Sequence, residues 1–197
     1  AIGGKHKRAA IIYFPGRIDR KKLEAAVGLA LSSLSWEPSL WLPTNPEETG
    51  GVQALRAVAQ NATHILIAGG DGTVREVLDA LARENIKDVT VGIVPIGTGN
   101  ALARNLKIDL TNLNACVKRG LLGNRHQIDL GLAKVIWQNG DREEFHFAVM
   151  GGMGLDAKIM QKTNPALKKA IGWVAYFEGG IRSLPTLFER MQVTVDN

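Results

Sequence analysis

Two short apolar runs in this chain each end in a glycine-rich polar loop, and each loop opens at once into a helical pattern. The first runs from Ile65 to Ala68 into Gly69-Gly70-Asp71-Gly72-Thr73, followed by Val74, Val77, Leu78 and Leu81 at the i, i+3, i+4, i+7 spacing of an amphipathic helix. The second, Val91 to Val94, passes through Pro95-Ile96 into Gly97-Thr98-Gly99-Asn100 and then Ala101, Leu102, Ala103 and Leu106. Such units in succession predict parallel strands with both loops at the carboxyl edge of one sheet, where open α/β sheets bind ligands. Glycines let main-chain N–H groups approach an anion that a Cβ holds off, and a helix start aims those groups at a phosphate. Asp71 is out of place in a bare anion site. It calls for a bridging cation, a proton to accept or an arginine partner, and so points to metal-assisted phosphate chemistry. Thr73 and Glu76 have the Thr-x-x-Glu spacing of a capping box, which predicts that the helix begins at Thr73, and Asn100 is the expected N-cap of the next one. One glycine loop alone is accounted for by a tight turn. A second on the same edge makes an enclosed nucleotide triphosphate the expectation.

The flanking sequence extends the same architecture. A strand is predicted over Arg8 to Phe14, a helix from Asp19 with Leu23, Ala26, Val27, Ala30, Leu31 and Leu34 on one face, and a second strand over Pro38 to Leu42. Asn45, Pro46 and Glu48 carry helix-start signals, and Leu110 to Leu121 reads as a helix ended by Gly120 and Gly123. Beyond residue 125 the period shortens to two, over Gln127 to Val135 and Glu144 to Val149, with the hairpin signal Asn139-Gly140 between. A long helix over 167–188 and a strand over Met191 to Val195 follow. The expected fold is α/β: a Rossmann-like three-layer parallel-sheet domain in residues 1–124, then the start of an antiparallel β-sandwich domain in 125–197. Two or three strands rarely form a stable sheet alone, so the chain reads as a fragment truncated inside its second domain.

Composition narrows the partners. A net charge of +5 suits an anionic nucleotide or an anionic membrane surface. No basic reading helix and no aromatic–basic stacking sheet is visible, so nucleic acid is not an expected partner. The single cysteine, Cys116, lies in an apolar helical patch and reads as a buried small hydrophobe in a reducing compartment. The four histidines, His6, His64, His126 and His146, lack metal-ligand spacing. No apolar run approaches the ~20 residues of a membrane span, and no signal peptide is visible.

The ordered pair Gly-Gly-Asp-Gly-Thr-x-x-Glu-Val and Pro-x-Gly-Thr-Gly-Asn-x-x-Ala-Arg resembles the catalytic domain of the diacylglycerol kinase family, which includes bacterial lipid kinases, sphingosine kinases and ceramide kinases. Ile128-Asp129-Leu130-Gly131 and Gly151 to Ala157 are similar to further family elements. The resemblance implies transfer of the γ-phosphoryl group of ATP to a lipid hydroxyl, with ATP and Mg²⁺ as cofactors, and a role in phospholipid biosynthesis. By the same resemblance Asp71 is the catalytic and Mg²⁺-holding residue. Thr44, Gly69, Gly70, Gly72, Thr73, Glu76, Gly97, Thr98, Gly99 and Asn100 contact the nucleotide, and Arg104 is either a structural anchor or a phosphate contact, with the structural role favoured. The lipid is expected near Gly151 to Asp156, and Lys158, Lys162, Lys168 and Lys169 either face an anionic membrane surface or, as is more common, form a solvated helix face. The protein is then cytoplasmic with peripheral membrane attachment, and a homodimer is an open oligomeric state. The chain departs from the family in three places. Phe14 stands where an Asn-Pro-x-x-Gly loop begins, Ala101-Leu102 replaces Asp-Phe, and the Asp-Gly-Glu segment that carries the family's catalytic base is not in the sequence. An NAD kinase shares Gly-Gly-Asp-Gly-Thr but has a different second motif, and a non-catalytic nucleotide- or lipid-binding fragment is the rival from another class.

Overall fold

The computed structural model describes residues 6–136 and 139–149. Among these, β1 (Arg8–Tyr13), β2 (Glu37–Pro43), β3 (His64–Gly69) and β4 (Thr90–Pro95) form one sheet in the order β2-β1-β3-β4, every neighbouring pair parallel. The connecting helices are α1 (Arg20–Leu31), α2 (Gly51–Ala59) and α3 (Asp71–Arg83). After β4 come the short α4 (Ala101–Asn105) and α5 (Leu113–Leu122). β5 (Gly131–Ile136) and β6 (Arg142–Phe147) make an antiparallel hairpin whose turn holds Gly140 at φ 88°.

Beyond their first residues β1, β3 and β4 are apolar because both sheet faces are covered. Successive strand residues point to opposite faces. Ala10, Ile12, Ile65, Ile67 and Ile93 pack with Ala54 and Ala57 of α2 and Val74, Val77 and Leu81 of α3. Ala9, Ile11, Leu66, Ala68 and Val94 pack with Leu23, Ala26 and Val27 of α1 and Cys116, Val117 and Leu121 of α5. This is the expected three-layer arrangement. In this strand order the chain reverses direction between β1 and β3, and the crevice at their carboxyl ends is the topological switch point.

Several expectations are corrected. Residues 46–48 form no helix. Asn45 Oδ1 accepts from the N–H groups of Glu47 (3.0 Å) and Glu48 (2.7 Å), a local turn that uses the bonds a helix start would use. The helix begins at Gly51, after Gly50 at φ 140°. Gly120 does not end α5 but lies within it. A Cβ on Gly92 would stand 2.5 Å from the Gly120 Cα, so the two glycines let α5 lie against β4. Gly123 is the C-cap. Residues 127–130 lie outside the β5 strand. Gly151 to Ala157, the helix over 167–188 with its lysines and the strand over Met191 to Val195 fall outside the described residues.

His64 opens β3, buried against Trp36 with ring centroids 4.6 Å apart, and its Nδ1 pairs with Thr63 Oγ1 at 2.9 Å. Burial, followed by the charges of Lys7 and Arg125, lowers its pKa from 6.5 to about 4. The unfolded chain takes up this proton near pH 6.5 while the fold refuses it until about 4. Stability contributed by the neutral ring is therefore complete above pH 6.5 and falls as pH drops to 4, by at most about 3 kcal/mol. Urea midpoints measured from pH 7 to 4 should decline through this window, and His64→Phe should flatten the decline.

Candidate functional site

The first glycine loop is shorter than its sequence suggests. β3 runs through Gly69, Gly70 is the N-cap in an extended conformation (φ −96°, ψ −175°), and α3 starts at Asp71. The capping-box expectation is overturned. Thr73 lies inside the first helical turn, no side chain caps α3, and Glu76 pairs with its neighbour Arg75. Thr73 packs on Gly69 instead: a Cβ there would stand 2.9 Å from the Thr73 Cβ. The first turn of α3 thus presents N–H groups that no side chain among the described residues caps, on the positive end of the helix dipole. Gly72 faces open space, since a Cβ added there would meet nothing within 4 Å.

The second loop is internally braced. Asn100 has left-handed backbone angles (φ 51°, ψ 44°) and is 7% exposed. It does not cap α4 in the ordinary way. Its Oδ1 accepts from Gly97 N (2.9 Å), and its Nδ2 donates to Gly97 O (2.7 Å). Arg104 Nε donates to Gly99 O at 2.8 Å, which gives Arg104 an anchoring role. Thr98 sits exposed at the tip.

The two loops touch. A Cβ on Gly97 would lie 2.6 Å from the Gly70 Cα, so main chain meets main chain. Asp71 ties them: its Oδ1 accepts the Ala101 N–H at 2.6 Å, across 30 residues of sequence. One oxygen of an exposed carboxylate is thereby fixed. Its Oδ2 lies beside Gly99, 2.7 Å from where a Cβ would be. On the other side of the switch crevice, Thr44 follows β2 and is buried. Its N–H and its hydroxyl both donate to Tyr13 O, at 2.8 and 3.3 Å. With its proton committed, the hydroxyl retains only acceptor capacity.

At its far end, α3 engages the hairpin, a contact no sequence signal announced. Buried Asp79 accepts from His146 N (2.8 Å) and Arg83 Nε (2.7 Å), and its Oδ1 lies 3.0 Å from His146 Nδ1. Burial works to raise its pKa, but the His146 N–H, the Arg83 guanidinium and the His146 ring outweigh it and leave the carboxyl below its ordinary value. The helix that carries Asp71 at its start is thus fixed to the hairpin at its end.

No group of three or more His, Cys, Asp or Glu side chains suited to a metal ion occurs among the described residues. The Asp71 carboxylate, with one oxygen unbonded among the described residues beside the open start of α3, fits Mg²⁺, which commonly takes one or two carboxylates and completes its shell with water and substrate phosphates.

The family model for the diacylglycerol kinase catalytic domain matches residues 19–133, over half the chain and across both loops. The chain belongs to the diacylglycerol kinase catalytic domain family. A diacylglycerol kinase of Bacillus subtilis (strain 168) is 31% identical over 183 residues, covering 92% of this chain and 57% of the relative. One from Staphylococcus carnosus (strain TM300) is 27% identical, covering 92% and 56%. This member of the family therefore spans a little over half the length of those curated relatives. A crystal structure of a diacylglycerol kinase candidate from Bacillus anthracis str. Sterne matches with a TM-score of 0.67 at 23% identity, over 92% of this chain and 57% of that one, a likeness of fold. No helix among the described residues is long and apolar enough to cross a membrane.

Proposed function

We propose that the complete protein is an ATP-dependent lipid kinase, that residues 1–124 form its nucleotide-binding domain, and that the lipid is met on the side of residues 125–197. One observation carries this reading. The uncapped start of α3, open at Gly72, faces the braced Gly97–Asn100 loop beside the β1/β3 switch crevice. Membership in the family supplies the reaction class.

In this reading the N–H groups of Asp71, Gly72 and Thr73 bind the phosphates, and the Gly97–Asn100 loop closes the cradle from the β4 side. Thr44 accepts a hydrogen bond from the nucleotide. Asp71 holds Mg²⁺ through its free oxygen, directly or through water. When bound, Mg²⁺ neutralises charge on the triphosphate. Phosphoryl transfer is mostly positioning and electrostatics, so holding the two loops rigid against each other is the chain's own contribution. Glu76, paired with Arg75, serves the helix rather than the phosphates. The net charge of +5 favours approach to anionic lipid.

The test is the complete protein incubated with Mg-ATP labelled in the γ-phosphoryl group and vesicles carrying diacylglycerol, ceramide, a long-chain base or phosphatidylglycerol. The expected result is label in the extracted lipid for at least one of them. Label appearing only in water-soluble products overturns the reading.

A further inference from the structure

An exposed aromatic ring stands at the carboxyl edge of the sheet, outside both hydrophobic cores of the described residues. Phe14 is the first residue beyond β1. It is 39% exposed and belongs to neither hydrophobic core. The ladder continues through it, since its N–H donates to Ala68 O at 3.3 Å, while Thr44 N donates to Tyr13 O at 2.8 Å. Tyr13 is in register with Pro43 and Ala68, so the next row across the sheet reads Thr44, Phe14, Gly69. Phe14 therefore flanks the switch crevice on the β1 side, as Gly69-Gly70 flank it on the β3 side. At ordinary strand spacing, Thr44 and Gly69 lie about 10 Å apart with Phe14 between them.

The ring lies over Gly16 in a turn closed by the main chain. Arg17 N donates to Phe14 O at 3.1 Å, closing a turn through Pro15 and Gly16. Phe14 Cζ lies 3.0 Å from where a Gly16 Cβ would be, so a side chain at 16 would displace the ring. The turn thus presents a flat apolar surface at an otherwise polar, glycine-lined edge.

We propose that Phe14 is the stacking platform for the nucleobase. This rests on the nucleotide reading of the two glycine loops and deepens it. A phosphate chain seated on the start of α3 leaves the rest of the nucleotide one strand spacing toward β1, over Phe14, with the acceptor oxygen of Thr44 one spacing further. An aromatic face contributes to base binding through the π surface common to every base. An acyl chain would need a continuous apolar groove, and the neighbours of Phe14 along this row are threonine and glycine.

The test compares two ligands that share the phosphates and differ in the base. Mg-ATP and Mg-tripolyphosphate are titrated calorimetrically into the full chain, wild type, Phe14→Ala and Phe14→Tyr. Phe14→Ala should weaken Mg-ATP roughly 5- to 100-fold, leave tripolyphosphate unchanged and leave the melting temperature unchanged, and Phe14→Tyr should bind both ligands like wild type. Unchanged ATP affinity in Phe14→Ala overturns the proposal, and so does an equal loss for both ligands, which makes Phe14 a support of the loop. A wild-type chain that binds tripolyphosphate no more weakly than ATP also overturns it while leaving the phosphate cradle standing. A wild-type chain that binds neither ligand removes the nucleotide reading itself, and the proposal with it.

Discussion

Asp71→Asn is expected to reduce phosphoryl transfer by the complete protein at least about a hundredfold while leaving the fold intact. The substitution separates two jobs of one side chain. Oδ1 of Asp71 accepts the Ala101 N–H at 2.6 Å and ties the two glycine loops together. Asparagine keeps an oxygen for that bond, so the tie survives and only the charge is lost. A metal ion stabilises charge in a phosphoryl-transfer transition state by several kcal/mol, which corresponds to two or more orders of magnitude in rate. Exposed positions of this kind change stability by about 0.5 kcal/mol or less, so the melting temperature should move by no more than about 2 °C. Asp71→Ala removes the tie as well and should lose both activity and nucleotide affinity. The checks are turnover in the lipid kinase assay and a thermal melt. Near-normal turnover of Asp71→Asn would mean that the carboxylate holds no metal.

The parallel sheet and its carboxyl-edge loops are legible because β3 and β4 are each a continuous apolar run that ends in a glycine loop. Both cues are local, and burial on two faces produces the first of them directly. The helix boundaries were less legible, because start signals are also local but ambiguous. Asn45 bonds Glu47 and Glu48 in a turn as readily as in a helix cap, and Glu48 then reaches Arg56 at 2.8 Å instead of closing a box. Thr73 and Glu76 have capping-box spacing, yet the chain already turns helical at Asp71, two residues earlier. The Asn100 brace follows from its left-handed backbone, which composition does not specify. The Asp79–His146 contact joins residues 67 apart, and the Gly92–Gly120 approach exists only once α5 lies on β4. Spacing along the chain carries no trace of either. Phe14 was visible as a departure from the family, but its place between Thr44 and Gly69 required the strand register.

Gly72→Val is expected to have the second large effect, because it blocks the start of α3 where the phosphates are proposed to bind. Within a helix, glycine costs about 1 kcal/mol relative to alanine. At Gly72 no packing repays that cost, since a Cβ there would meet nothing within 4 Å. Among the described residues nothing fills that space, which leaves it open to a ligand. A valine side chain would fill the approach to the first-turn N–H groups. Hydrogen bonds to a charged partner are worth roughly 1.5–3 kcal/mol each, and loss of one or two of them corresponds to about a hundredfold in affinity. The deciding measurement is a fluorescent ATP titration of wild type and Gly72→Val in the presence of Mg²⁺, with thermal melts alongside. Wild type should bind saturably, Gly72→Val should bind about a hundredfold or more weaker, and its melting temperature should not fall. Equal affinity in the two proteins would contradict it.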